Sequence, residues 1–172
     1  MARWLALSGY MGAGKTSVGR RVAQRLDRPF LDADRVIEER AGMPIPEIFS
    51  RKGELWFRRT EERVIRELLE GEPGVLALGG GALESERTRG LLGRTADVVW
   101  LRASVEVAWA RVEGSDRPLA GDRGRFERRA RAREANYRAA ADLEVDADGP
   151  ADEVAARVAA WAVHGSGTEA PR

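Results

Sequence analysis

The stretch Gly9-Tyr10-Met11-Gly12-Ala13-Gly14-Lys15-Thr16 decides the fold of this chain. It follows an apolar run, Arg3–Ser8, that is typical of a buried strand, and it leads into Lys15–Leu26, where apolar residues recur at helical spacing. A G-x-x-x-x-G-K-[ST] loop between a strand and a helix binds phosphate, because its backbone N–H groups and the positive helix end face the anion. The alternative is a glycine-rich turn with a stray lysine, but the string arises by chance in roughly one chain in a hundred or fewer. The sequence therefore predicts nucleoside triphosphate binding.

The last two residues of this loop have predicted chemical roles. Lys15 is expected to bridge the β- and γ-phosphates of the nucleotide, and the Thr16 hydroxyl is expected to ligate Mg²⁺. Both roles belong to the phosphoryl-transfer chemistry of this loop class.

Composition narrows the class of protein. The chain has 172 residues and 18.9 kDa, with 43% hydrophobic and 33% charged residues, which predicts one globular domain, 1–172, and argues against disorder or a membrane span. The N-terminus Met1–Trp4 is too brief for a signal peptide. The absence of cysteine excludes thiolate chemistry and is compatible with a cytoplasmic location. A net charge of +1 points to neither nucleic acid nor a membrane surface as a partner.

Strands alternate with helices along the chain, which predicts a parallel sheet covered on both faces. The loop at about 112–124 is expected to be a mobile lid, and 164–172 is expected to be a frayed tail. The predicted strands are 3–8, 29–31, 74–78, 97–101 and 143–145, and the predicted helices are 15–26, 36–41, 46–50, 54–69, 84–92, 104–112, 125–139 and 152–161.

Polar and glycine residues follow the carboxyl ends of three predicted strands, where ligands bind in such sheets. Asp32 and Asp34 follow the second strand, and Gly79–Gly81 follow the third. One carboxylate can hold the water shell of magnesium while the other reaches a substrate hydroxyl. The alternative is that Asp34 is simply the N-cap of the helix after it.

Two arginines lie within apolar helical stripes rather than opposite them. Arg58 and Glu61 fall on the apolar face of the long helix, and Arg133 falls among Phe126, Ala130 and Tyr137. Because a buried charge is costly unless it is matched, Arg58 and Arg133 are interpreted as a clamp for a carboxylate or phosphate. The alternative for Arg58 and Glu61 is a structural ion pair. The face of the long helix comprises Leu55, Phe57, Val64, Ile65, Leu68 and Leu69, and the arginines predicted to lie on a solvated face are Arg125, Arg128, Arg129 and Arg131.

The glycine-flanked loop 114–124 presents Arg117-Pro118-Leu119. A mobile loop with a single arginine resembles a lid that closes over a transferring phosphoryl group. The alternative is an ordinary exposed loop.

Taken together, these motifs resemble the shikimate kinase family from Leu5 to about Trp161. The resemblance rests on residues 9–20, Asp32-Ala33-Asp34, Glu47-Ile48-Phe49, Gly53-Glu54 with Phe57-Arg58, Gly79–Gly81, Arg117-Pro118-Leu119, and Arg133 with Tyr137. It implies a three-layer α/β P-loop NTPase fold with a five-stranded parallel sheet in the order 2-3-1-4-5. It also implies phosphoryl transfer from ATP, with Mg²⁺, to the 3-hydroxyl of shikimate, on the route to chorismate and the aromatic amino acids.

The resemblance also implies roles for single residues, and a monomer as the family default. Arg117 closes on ATP, Thr16 and Asp32 serve Mg²⁺, and Lys15, Asp34 and Arg117 are the expected catalytic residues. The residues expected to contact ATP are Gly12, Ala13, Gly14, Lys15, Thr16, Ser17, Arg117 and, near adenine, Arg111. The residues expected at the shikimate site, which falls in a helical segment at about 33–61 and beyond it, are Asp34, Arg58, Gly79, Gly80, Gly81, Arg133 and, supporting Arg58, Glu61.

The sequence departs from the family pattern in three places. Ala120 stands where the family usually has a second leucine after Arg-Pro-Leu, Ala135-Asn136 replace Pro-Leu before the tyrosine, and no side chain near Pro150 matches the late adenine-side contact. Two other classes stay open: a related kinase of another polyol acid such as gluconate, and a non-catalytic nucleotide-binding module.

Overall fold

Every predicted strand forms in the computed structural model, which describes residues 3–115 and 121–164. All strand pairs are parallel, and the order is β2-β3-β1-β4-β5, which confirms the order implied by the family resemblance. The strands are β1 (Trp4–Ser8), β2 (Phe30–Asp32), β3 (Val75–Ala77), β4 (Ala96–Arg102) and β5 (Leu143–Asp146).

Helices cover both faces of this sheet, as predicted. The long helix keeps the predicted break at Gly53, whose φ of 81° and ψ of 166° are not helical, so the chain bends there between two helical halves. A 3₁₀ turn, Ala82–Glu84, precedes α4. The helices are α1 (Lys15–Leu26), α2 (Ala33–Ala41), α3 (Ile45–Leu69), α4 (Glu86–Thr95), α5 (Val105–Val112), α6 (Arg123–Ala140) and α7 (Ala151–His164).

The alternation of side chains along β1 divides the core into two layers. Leu5 and Leu7 point to the layer that α1 and α7 complete, whereas Trp4 and Ala6 point to the layer completed by α3 to α6. Pairing of β1 with β3 and β4 on its two sides makes it the central strand, so its carboxyl end lies in the middle of one sheet edge. The loop after β1 is therefore surrounded by the loops of its neighbours.

One residue of the predicted apolar face of α3 lies outside the core. Leu55 is 66% exposed, whereas Phe57 is buried, because in the first turn after the bend only the side carrying Phe57 and Arg58 faces the protein. The prediction that Leu55 belongs to one buried apolar face with Val64 and Ile65 is therefore wrong.

Arg117 and the centre of the predicted lid, residues 116–120, as well as nearly all of the predicted tail, lie outside the described residues. Within the part of the chain that the structure does describe, no helix combines the length and the apolar character needed to cross a bilayer.

Candidate active site

A cavity of about 1030 Å³ lies beyond the carboxyl ends of the strands. The loop after β1, the start of α2, both halves of α3, the glycines after β3, and α5 and α6 all contribute to its wall. The predicted site residues among its described lining are Gly12, Gly14, Lys15, Thr16, Ser17, Asp32, Asp34, Arg58, Glu61, Gly80, Gly81, Arg111 and Arg133. Ala13 and Gly79 are buried beneath it.

The loop between β1 and α1 has the backbone that phosphate binding requires. Gly12 has a φ of +83°, and a Cβ atom there would lie 3.0 Å from the Ala108 Cα atom, so α5 leaves no room for a side chain. Lys15 donates hydrogen bonds from Nζ to the carbonyl oxygens of Gly9 (2.7 Å) and Tyr10 (3.0 Å). The ammonium group is thus held over the loop at the mouth of α1, where a phosphate would meet it.

Asp32 performs two tasks with its two carboxylate oxygens. The Thr16 hydroxyl donates to Oδ2 over 2.7 Å, while Oδ1 accepts from the backbone N–H groups of Asp34 (3.1 Å) and Arg35 (3.4 Å). Asp32 is therefore the N-cap of α2, and the alternative in which Asp34 caps this helix is wrong. The extended backbone of Asp32 ends β2, which leaves the Asp34 side chain on the first turn of α2 facing the cavity.

The Thr16 and Asp32 pair fits a magnesium ion. A hydroxyl and a carboxylate are the hard oxygen donors that Mg²⁺ prefers, and they stand together beside the phosphate-binding loop. Within the described ranges no cluster of three or more metal-binding side chains occurs. The two residues therefore suit an ion that takes its other ligands from phosphate and water.

The three glycines after β3 form a surface against which charged side chains pack. A Cβ atom on Gly79 would collide with Glu61 Oε1 and lie 2.8 Å from Asp34 Oδ1, and one on Gly81 would lie 2.6 Å from Arg58 Cζ. At Gly80 a Cβ atom would lie 3.6 Å from Arg133 Nη1. Any side chain at Gly79 or Gly81 would displace the predicted substrate residues.

Arg58 and Glu61 pair as predicted, one turn apart on α3. Arg58 Nη1 donates to Glu61 Oε2 over 2.7 Å, and the Glu61 side chain is only 3% exposed. Burial outweighs the charge and hydrogen bond of Arg58 and raises the pKa of Glu61 to about 7. Glu61 Oε1 and Arg58 Nε, both buried, have no hydrogen-bond partner among the described residues. The pair is thus only partly satisfied, which leaves donor capacity on Arg58 for a ligand.

We expect Glu61 to make the stability of the protein depend on pH. Since its pKa rises from 4.5 to about 7 on folding, the unfolded chain loses this proton at lower pH than the folded chain does. The free energy of unfolding should fall as pH rises across this window, by up to about 3 kcal/mol, and the loss is complete above the folded pKa. Urea unfolding of the wild type and of Glu61→Gln between pH 5 and 8 tests this.

The stability of Glu61→Gln relative to the wild type should rise with pH. The control is Glu72→Gln, because Glu72 is an exposed carboxylate beyond the end of α3. If the free energy of unfolding of Glu61→Gln depended on pH as that of the wild type does, Glu61 would be ionised in both the folded and the unfolded chain between pH 5 and 8.

Arg133 is buried as predicted, but its partner was not predicted. Its Nε donates to Glu84 Oε1 over 2.7 Å, and Glu84 comes from the 3₁₀ turn after the three glycines. Although burial alone would raise the pKa of Glu84, the hydrogen bond and the charge of Arg133 lower it overall. The apolar stripe on α6 is confirmed around it, since Phe126 and Tyr137 are buried.

Two arginines of the predicted solvated face of α6, Arg125 and Arg129, contribute to the wall of the cavity. Arg129 Nη2 pairs with Glu54 Oε1 over 2.8 Å, and the same oxygen lies 3.6 Å from Arg58 Nη2. Arg125 also contributes to the wall of the cavity. Arg125 is nevertheless exposed, as predicted, so the prediction is wrong only for Arg129, which is half-buried and pairs with Glu54 of α3.

Arg111 lies beside the phosphate-binding loop. Its Nη1 donates to the Gly12 carbonyl (3.1 Å), and its Nη2 donates to the carbonyls of Ala147 (3.0 Å) and Asp148 (3.3 Å). It therefore joins the loop after β1 to the loop after β5, on the nucleotide side of the cavity.

Comparison with known proteins identifies the family. A family model described as shikimate kinase matches residues 11–162. The chain belongs to the shikimate kinase family. It is 53% identical over 116 residues to a shikimate kinase of Ruegeria pomeroyi, a match that covers 67% of this chain and spans only 60% of the length of that relative. It is 46% identical over 145 residues to a shikimate kinase of Caulobacter vibrioides, covering 84% of this chain and 72% of that one.

A solved shikimate kinase has the same fold along almost the whole chain. The structure of the Acinetobacter baumannii enzyme in complex with shikimate superposes with a TM-score of 0.91 at 34% identity, covering 98% of this chain and 97% of that one. The five-stranded parallel sheet in the order described above is thus that of a shikimate kinase with its P-loop.

Proposed function

We propose that this protein is a shikimate kinase, which transfers the γ-phosphoryl group of ATP to the 3-hydroxyl of shikimate and releases ADP and shikimate 3-phosphate. The observation that carries the proposal is one cavity in which a phosphate-binding loop faces Asp34, Arg58 and Arg133. Its support is the family membership and the likeness to a relative solved with shikimate.

On the nucleotide side, residues 12–17 would hold the phosphates, and Arg111 would lie near the adenine. Backbone N–H groups of the loop and the first turn of α1 would bind the β-phosphate, while Lys15 reaches the β- and γ-phosphates. Thr16 and Asp32 would hold Mg²⁺, which would supply positive charge to offset that of the phosphates. Lys15 and Asp32 flank the place where the γ-phosphate would lie.

On the acceptor side, the arginines would bind the carboxylate and Asp34 the ring hydroxyls. Guanidinium groups bind carboxylates through paired hydrogen bonds, and Arg58 and Arg133 approach the glycine surface from α3 and α6. The Gly79–Gly81 backbone would lie against the sugar-like ring, because it presents no side chain there. Glu61 would support Arg58.

In the transfer itself, a bond forms between the substrate 3-oxygen and the γ-phosphorus while the bond to the bridging oxygen of ADP breaks. Asp34 would accept a hydrogen bond from the attacking hydroxyl and orient it, and can take its proton. A loose transition state needs little help from a base, so orientation and charge do most of the work. The assignment of Arg117 to the closing lid remains a prediction, since it lies outside the described residues.

We also propose that residues 1–172 act as one kinase domain, with the substrate-binding segment at about 33–61 and the lid at about 112–124. Its support is that residues of the phosphate-binding loop and of the segment at about 33–61 line the same cavity.

The direct test is ATP consumption with shikimate compared with gluconate, each with Mg²⁺ present. We expect turnover with shikimate and little with gluconate, because a flexible open-chain acid does not hold its hydroxyls and carboxylate in the fixed relation that Asp34, Arg58 and Arg133 demand. Preferential turnover of gluconate would contradict the proposal. Tight ATP binding with no transfer to either acid would favour a nucleotide-binding module.

A further inference from the structure

Glu84 is a charged side chain to which the mechanism above gives no task, and it contacts Arg133, which lines the cavity. It ends the 3₁₀ turn that follows Gly79–Gly81, and its Oε1 accepts a hydrogen bond from Arg133 Nε over 2.7 Å. The Arg133 side chain is 8% exposed, whereas that of Glu84 is 40% exposed. The carboxylate thus reaches from the rim to a guanidinium that is almost fully buried.

The contact defines the orientation of the Arg133 guanidinium. Glu84 accepts a hydrogen bond from Nε, the guanidinium nitrogen nearest the backbone, while Nη1 lies toward Gly80. The guanidinium lies over the Tyr10 ring, with Cζ 5.5 Å from the ring centroid. Because Glu84 occupies Nε and the Tyr10 ring lies on one side of the guanidinium, the terminal nitrogens Nη1 and Nη2 are directed along the surface formed by Gly79–Gly81.

The same segment of chain positions the arginine and the surface on which the acceptor would lie. Glu84 follows Gly80 by only four residues, and the Tyr137 hydroxyl, one turn beyond Arg133 on α6, donates to the Gly80 carbonyl. Arg133 and Gly80 are therefore tied together twice, once through Glu84 and once through Tyr137. A shift of α6 relative to the glycines would break both contacts.

We propose that Glu84 is a positioning residue that fixes the Arg133 guanidinium in the orientation for binding the substrate carboxylate, and so sets the affinity for the acid substrate. The inference rests on the proposed function, since it takes the acceptor to be a carboxylic acid in this cavity. A long arginine side chain has many rotamers, and paired hydrogen bonds to a carboxylate demand one of them. Glu84 selects that rotamer before the substrate arrives.

The opposite role for Glu84 is competition. As an anion on Arg133 it would offset the charge that attracts the substrate, and its removal would then tighten binding. The geometry favours positioning, because Glu84 occupies Nε rather than the terminal nitrogens that a carboxylate would use.

Titration calorimetry with shikimate on Glu84→Ala and Glu84→Gln distinguishes these roles. We expect Glu84→Ala to weaken shikimate binding about tenfold, as a lost hydrogen bond to a charged group does. Glu84→Gln should recover most of this loss, because its amide oxygen still accepts from Nε. The shikimate KM should follow the same order while kcat changes little. ATP affinity should stay at the wild-type value in both variants.

The matched control is Glu86→Ala, a neighbouring carboxylate that is exposed and lies on the first turn of α4 away from the cavity. It should bind shikimate as the wild type does. Thermal unfolding of each variant identifies any general loss of structure, which would lower the ATP affinity as well.

Four results would overturn the inference. Tighter shikimate binding by Glu84→Ala would establish competition, and unchanged binding would show that Arg133 needs no positioning. If Glu84→Gln lost as much affinity as Glu84→Ala, the charge of Glu84 rather than its hydrogen bond would matter. A wild type that binds ATP but not shikimate would overturn the proposed function itself, and this inference with it.

Discussion

Lys15→Met is expected to lower kcat for shikimate phosphorylation by about a thousandfold or more, while leaving the fold intact. Methionine keeps the approximate length of the side chain but removes the positive charge, which in the proposed function stabilises the charge that develops on the transferring phosphoryl group. Loss of one preorganised group of this kind costs a factor of about a hundred to a thousand, and Lys15 also contributes to ATP binding. A coupled assay of ADP release at saturating ATP and shikimate measures the effect.

The chain supplies a matched control for this substitution. Lys52 is the other lysine in the sequence, and it is exposed on α3 with its ammonium group 5.2 Å from the centroid of the Trp56 ring. Lys52→Met should turn over at the wild-type rate. Shikimate binding by Lys15→Met should persist, since the predicted acceptor residues lie elsewhere in the cavity. Near-normal turnover in Lys15→Met would contradict the assignment of the phosphate-binding loop.

The parts of this molecule that sequence predicts well are those set by local patterns. The loop at 9–16 predicts a strand before it and a helix after it, and α1 has the predicted bounds, Lys15–Leu26. The pairing of Arg58 with Glu61 was also predictable, because side chains three positions apart on a helix are neighbours. In each case the residues that decide the structure are close together in the sequence.

Contacts between residues far apart in the sequence could not be predicted, because no local pattern identifies the two partners. The Arg133–Glu84 pair joins positions 49 residues apart, and the Arg129–Glu54 pair joins positions 75 apart. No periodicity within α6 distinguishes Arg129 from Arg128. They differ because Arg129 is half-buried and pairs with Glu54 of α3, whereas Arg128 is exposed. The carboxylates that pair with Arg133 and Arg129, Glu84 and Glu54, could therefore be identified only from the structure.

The choice between Asp32 and Asp34 as the N-cap of α2 shows a second limit of prediction from the sequence. Both residues are common at helix N-termini, and either could precede this helix. What decides is that β2 extends through Asp32, so that its side chain turns back to the N–H groups of Asp34 and Arg35. The cap fixes the first turn of α2, and with it the position from which Asp34 faces the cavity.

An acceptor that lacks the carboxylate, such as shikimyl alcohol, is expected to bind at least about a hundredfold more weakly than shikimate. The alcohol keeps the ring and its hydroxyls, so Asp34 and the glycine surface would meet it unchanged. What it loses is the charge-assisted pairing with Arg58 and Arg133, and sites built for such pairs reject ligands that leave them unmade. Arg58 enters this pairing with donor capacity left, because Glu61 engages Nη1 and the Glu54 carboxylate lies 3.6 Å from Nη2.

Substitution of each arginine tests the same clamp from the side of the protein. Arg58→Ala and Arg133→Ala should each weaken shikimate binding, measured by calorimetry, and leave ATP binding unchanged. In both variants the affinities for shikimate and for shikimyl alcohol should differ less than in the wild type, because the alcohol makes no charged pair that the substitution could remove. Arg131→Ala is the control, since Arg131 is exposed on the same helix. Equal affinity for the acid and the alcohol in the wild type would refute the clamp, and so would arginine variants that lose ATP binding but keep shikimate binding.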